Sequence, residues 1–208
     1  ITATNISGSG TATFTLTVLQ IPSCANGLAA CVVGNEGPGG GIVFYVQAAG
    51  GTFACGALLA STCKYLEAAP TNWNGAGGDP LRSWATNANG NRTTLVTGVD
   101  GTAIGSGYQN SVDVVNQTGN VSATSAAVLA RSYAGGSKSD WHLPSYDELH
   151  QLWTQRVTVG GFTNGWYWSS SEHSAGGAKV LFIPDGSTNG VSDKHCECNP
   201  VRPIRAFG

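Results

Sequence analysis

The chain has 208 residues, 30 of them glycine; 11% are charged against a typical ~25%, and ten Lys and Arg against twelve Asp and Glu leave a formal charge of −2. No basic field exists to attract nucleic acid, no acidic block suggests a solvating tail, and no run of ~18 apolar residues could span a membrane. Six each of Trp, Tyr and Phe within a 41% hydrophobic chain can build a core, and six cysteines, an even number, indicate an oxidising location, extracellular or at a cell surface. With no initiator Met and no signal-peptide pattern, the chain reads as a mature product or a segment of something longer.

Residues 11–18, Thr-Ala-Thr-Phe-Thr-Leu-Thr-Val, alternate strictly and predict a half-buried strand, with residues 1–6 as its hairpin partner across Gly8 and Gly10. Two strands do not stand alone. The segment therefore packs on its own domain, or joins the sheet of a neighbouring subunit by β-augmentation, which makes residues 11–18 the candidate route to self-association. This divides the chain into an N-terminal strand segment, 1–22, and one domain, 23–208.

Residues 22–41 are turn-rich. Ile42-Val-Phe-Tyr-Val and Lys64-Tyr-Leu-Glu-Ala-Ala read as strands, and residues 70–107 as a long Gly/Asn/Asp-rich loop region. A first helix is expected around Tyr108–Gln117, with Val112 and Val115 inward, continuing at Ala123–Tyr133, with Ala127, Leu129 and Ala130 inward. Ser145, three residues before Glu148, is a capping-box pattern opening a helix with Leu149, Leu152 and Trp153 on one stripe. Trp166-Tyr-Trp-Ser-Ser-Ser and Lys179-Val-Leu-Phe-Ile-Pro read as strands, Asp185-Gly186 as a hairpin-type turn, and Val201–Phe207 as an edge strand. Strands, helices, then strands make an α+β fold of twisted antiparallel sheet, two helices and long loops.

The candidate ligand-binding residues lie in the 70–107 loops. Trp73 offers an aromatic face for a sugar or a protein, Asn72, Asn74 and Asp79 offer polar contacts, and Trp84 is a second aromatic. Glu67, Asn74, Asp79 and Asp100 are the oxygen ligands calcium would take, although no Asp-x-Asp-x-Asp run accompanies them. No other cofactor is indicated. Cys55 and Cys63 bracket a Gly/Ala loop and suit a disulfide, as do Cys24 and Cys31. Cys196 and Cys198 close a small ring or bond elsewhere, and spacing does not fix the connectivity. His195 with those two thiolates would supply three soft metal ligands, without a further Cys or His motif to complete a site. A Gly-x-Ser-x-Gly elbow, a phosphate-binding loop and a nominable carboxylate pair are all absent, so the chain is read as non-enzymatic. Sequons occur at Asn5, Asn91, Asn116 and Asn120.

Five segments carry a resemblance: Gly37-Pro-Gly-Gly-Gly-Ile-Val-Phe-Tyr-Val, Tyr65-Leu-Glu-Ala-Ala-Pro, Asp140-Trp-His-Leu-Pro-Ser-Tyr-Asp-Glu-Leu, Gly160-Gly-Phe with Tyr167-Trp-Ser-Ser-Ser-Glu, and Val201-Arg-Pro-Ile-Arg-Ala-Phe. In this order they resemble the collagen-like-adhesin C-terminal domain family, over roughly residues 34–207. The resemblance implies a C-type-lectin-like fold, a bacterial cell-surface location, and adhesion rather than catalysis. Residues 1–18 resemble the last strands of a bacterial immunoglobulin-like adhesin repeat. Sulfated glycans, which the family would suggest as ligands, require clustered cations that this chain lacks; a neutral glycan, a surface protein or a second copy suits its charge better. Trp141, Pro144 and Trp168 are expected as framework, with Glu148 or Glu172 pairing with Arg202 or Arg205. The function expected is adhesion to a glycan or protein. The alternative is a structural subunit of an extracellular filament assembled through the N-terminal strand.

Overall fold

The computed structural model describes residues 23–24, 30–48, 50–75, 77–86, 91–117 and 125–208. The expected strand at 11–18 and its pairing lie outside them. In chain order the elements are β1 (Ile42–Val46), β2 (Phe53–Cys55), β3 (Ser61–Cys63), β4 (Tyr65–Ala68), β5 (Leu81–Arg82), α1 (Gly107–Asn116), α2 (Ala126–Ser132), α3 (Tyr146–Thr154), α4 (Arg156–Val159), β6 (Trp166–Ser174), β7 (Gly177–Phe182), β8 (Gly190–Asp193), β9 (Asn199–Pro200) and β10 (Ile204–Phe207). The sheets run β1-β4-β10, β2-β3, β5-β9 and β6-β7-β8, every strand pair is antiparallel, and none of these sheets closes on itself. The fold is α+β. The last strand, β10, lies at the edge of a sheet begun by the first, β1.

The β6–β7 ribbon divides the core in two. Successive side chains of a strand point to opposite faces, so Trp168 and Val180 join Trp84, Val114, Ala127 and Leu143 on one side. Tyr167 and Leu181 join Phe44, Leu66, Leu149, Leu152 and Ile204 on the other. Helix α3 starts where its capping box placed it: Ser145 Oγ accepts from Glu148 N (3.3 Å) and Ser145 N donates to Glu148 Oε2 (2.6 Å). After β7 the chain turns at Asp185-Gly186, where Gly186 takes φ +75° and Ser187 N donates to Asp185 Oδ1 (2.8 Å). This is the left-handed position and Asx turn that Asp-Gly favours.

Helix α1 corrects its sequence reading. Val112 and Val115 are only half-buried; the inward stripe is Asn110, Ser111 and Val114. Two polar residues can face the core here because each hydrogen-bonds to irregular backbone buried beside it. Asn110 Nδ2 donates to Gly101 O (2.7 Å), and Ser111 Oγ accepts from Leu143 N (3.1 Å). The three serines of β6 do similar work and are fully buried. Ser171 Oγ donates to Gly101 O (2.7 Å) and accepts from Tyr146 N (3.0 Å), while Ser170 N donates to Pro144 O (2.7 Å). Helix α2 keeps Ala126, Ala127 and Ala130 inward, with Leu129 half-buried against the core.

Candidate contact surface

The sequence motifs converge on one buried junction. Glu67, on β4, faces Arg205 across the β4–β10 pair, and Arg205 Nη1 donates to its Oε1 (2.7 Å). The glycine run wraps the same carboxylate: Gly39 N and Gly41 N donate to Glu67 Oε2 at 3.1 Å each. A Cβ on Gly39 would lie 2.6 Å from the Trp141 ring and 2.8 Å from Glu67 Oε1. Arg205 also pairs through Nε with Asp140. Burial pushes the Glu67 carboxyl up, and the Arg205 guanidinium and the two glycine N–H groups pull it back. The junction ties β4 and β10 to the glycine turn and to Asp140 in the segment that leads into α3. Its donors and acceptors are occupied by one another.

The predicted Glu–Arg pairing is therefore corrected. Arg205 pairs with Glu67, and Arg202 pairs with Asp79, Nε to Oδ1 (2.7 Å). Glu172 pairs with Lys194, which is itself fully buried, lies 5.0 Å from the Trp84 ring and donates to Thr94 O (2.8 Å). Glu148 takes no cation from Arg202 or Arg205. It accepts from Ser145 N and Gly105 N (2.8 Å), with His142 Nε2 4.0 Å from its Oε2. Trp141, Pro144 and Trp168 are buried as framework.

In the 70–107 loops, Asp79 and Trp84 of the five candidate ligand residues are turned inward. Asp79 is buried: Oδ1 accepts from Arg202 and from Trp73 Nε1 (2.9 Å), and Oδ2 from Tyr167 OH (2.6 Å). Burial, reinforced by Asp79, drives the Tyr167 phenol upward. Trp73 is half-buried, edge-on to Tyr133 at 5.4 Å, and Trp84 is wholly buried, its Nε1 donating to Ser169 O (2.9 Å). Only Asn72 and Asn74 of the five are exposed. The calcium set does not assemble, because Glu67 and Asp79 are spent inside on different arginines while Asn74 and Asp100 face solvent. Among the described residues no group of three His, Cys, Asp or Glu could hold a metal. Asn91 is buried, which removes its side chain from glycosylation in the folded chain.

Disulfides join Cys24 to Cys31, Cys55 to Cys63 and Cys196 to Cys198. The last bond removes both thiolates from the metal reading at His195. The Cys55–Cys63 bridge closes a loop whose tip was hidden, in sequence, inside an unremarkable Gly/Ala stretch. There Leu58 is 82% and Leu59 42% exposed, and both take left-handed φ, 52° and 54°. Elsewhere a groove of about 390 Å³ runs between α4 and the ends of β6 and β7, lined among others by Arg156, Val157, Phe162, Thr163, Ile183 and Pro184. A smaller cavity of about 220 Å³ lies under the Cys55–Cys63 loop against Tyr108, Asp140 and His142. Among the described residues no helix is long and apolar enough to cross a membrane.

No family model matches the chain, and no curated protein matches it. In structure it is similar to a fimbrial protein from Bacteroides ovatus, with a TM-score of 0.41 and 18% sequence identity, over 80% of this chain and 44% of that one. The chain thus spans less than half the length of that protein. A likeness at this level carries no argument about function.

Proposed function

We propose that the chain is an extracellular, non-enzymatic surface domain that works by contact, adhering to a protein or neutral glycan. One observation carries the reading. The buried acids are consumed in holding the scaffold, Glu67 and Asp79 on arginines, Glu172 on Lys194 and Glu148 at a helix cap, while large apolar side chains, Leu58 and Val157 foremost, stand exposed to solvent. Catalysis by paired carboxylates or an activated nucleophile would need such groups free and facing substrate. Three short-range disulfides suit an oxidising exterior. The resemblance to collagen-like-adhesin C-terminal domains, with their C-type-lectin-like fold, belongs to this proposal and rests on the five motifs alone.

Binding of the full chain to arrayed glycans and immobilised surface proteins tests this. The expected result is retention on protein or neutral glycan. Binding that grows with glycan sulfation, or none above an unfolded control, overturns it. A second reading, a structural subunit of an extracellular filament, is favoured by the exposed leucine tip and by a net charge of −2, which allows copies to approach closely.

A further inference from the structure

We infer that one copy of this chain docks head to tail on the next, the Leu58–Leu59 tip of its Cys55–Cys63 loop seating in the groove of Val157, Phe162, Ile183 and Pro184. The inference rests on the filament reading and names a contact within it that does not use residues 11–18.

The tip is built to project. Two consecutive leucines in left-handed backbone are strained, and such strain persists only where the surroundings impose it. The β2–β3 pair, the disulfide across it, and the bond from Leu58 N to Gln109 Oε1 (2.6 Å) impose it here. An apolar tip already held in one conformation loses little freedom on docking. Residues 55–63 carry no charge, so their desolvation is inexpensive.

The groove is its complement. Val157 is 89% exposed at its edge, although it sits beside the apolar Phe162 and Ile183. Its volume of about 390 Å³ lies within the ~300–1,000 Å³ range of ligand-binding clefts, room enough for the side chains of a leucine tip. Its one charge, Arg156, is held back over the Trp153 ring at 4.8 Å, with Nη1 donating to Trp153 O (3.2 Å). No residue lines both the loop and the groove. A contact between two different patches is heterologous, and repeating it produces a closed ring or an open filament.

The test is light scattering and electron microscopy on the full chain and on Leu58→Asp/Leu59→Asp and Val157→Asp, substitutions at exposed positions whose folding is checked by near-UV circular dichroism. Wild type is expected to form assemblies whose mass grows with concentration, and each folded variant to remain monomeric. An equimolar mixture of the two variants retains one competent groove and one competent tip, so it should stop at dimers. Assemblies that persist in both variants but vanish on deletion of residues 1–20 would retain the filament reading and overturn this contact. A wild-type monomer at every concentration would overturn both, and assembly lost only in the leucine variant would assign the tip to another acceptor.

Discussion

Arg205 and Glu67 stand opposite each other in the β4–β10 ladder, and the guanidinium closes on the carboxylate at 2.7 Å inside a turn of glycine N–H donors. Removing Glu67 leaves buried Arg205 with only the partly exposed Asp140 and deprives the Gly39 and Gly41 N–H groups of their acceptor, which costs up to ~3–5 kcal/mol. Glu67→Ala should lose about that much, and Glu67→Gln, which keeps an acceptor, ~1–3 kcal/mol. Urea unfolding at neutral pH reads both; a Glu67→Ala midpoint within error of wild type would show that the junction holds nothing together.

The glycine turn offers a contrast between adjacent positions. Alanine at Gly40 meets no atom within 4 Å and pays only for its left-handed backbone, φ +74°, about 1–2 kcal/mol. Alanine at Gly39 collides with Trp141 and Glu67 in a packed interior and should cost more, in excess of ~2 kcal/mol. Equal losses in thermal or urea unfolding would contradict the cradle.

Stability should depend on pH through two buried neighbours. Burial raises the Glu148 carboxyl to about 7, against the pull of Ser145 and Gly105 N–H, and lowers the His142 imidazole to about 4, against its bond to Asp140 O. Because the folded value of Glu148 is raised, its contribution is full below the unfolded ~4.3 and is lost as pH climbs to about 7. The folded value of His142 is depressed, so its contribution is full above ~6.5 and is lost as pH falls to about 4. The two oppose each other between these limits, and Glu148 alone acts above ~6.5. Glu148→Gln should abolish the decline of stability from pH ~6.5 to ~7.5 and leave the acid-side decline intact. A variant that kept the neutral-side slope would place its origin elsewhere.

Trp73 separates scaffold from ligand site. Trp73→Ala removes an edge-on contact with Tyr133 and a donor to buried Asp79, and should lower stability by about 1–3 kcal/mol without changing what the chain binds. A variant as stable as wild type but with altered glycan binding would return the 70–107 loops to the role of a sugar site.

Local signals were legible in the sequence. The Ser145–Glu148 box, the Asp185-Gly186 turn and the strand at 166–171 each arise from residues close in the chain, and each element formed there. Partners distant in sequence were not legible. Asp79 and Arg202 are 123 residues apart, and nothing in either segment states which strand lies beside it. Helix α1 misled because its buried face uses Asn110 and Ser111, which periodicity scores as polar. The 70–107 region misled for the opposite reason: it lacks periodicity, yet Trp84, Val96 and Val99 anchor it in the core. The leucine tip was present in the sequence, but its exposure follows from the disulfide and the α1 contact, which only the fold supplies.

On the filament reading, copies of this chain join through weakly charged, apolar contact, with the buried charges reserved for the scaffold. The mass of the full chain by light scattering, at low salt and in concentrated sulfate, tests this most directly. Screening weakens contacts between exposed charges, while sulfate strengthens apolar burial. Assemblies above monomer that persist or grow in sulfate are predicted. A chain that is monomeric throughout, or that assembles at low salt and dissociates as salt rises, would contradict it.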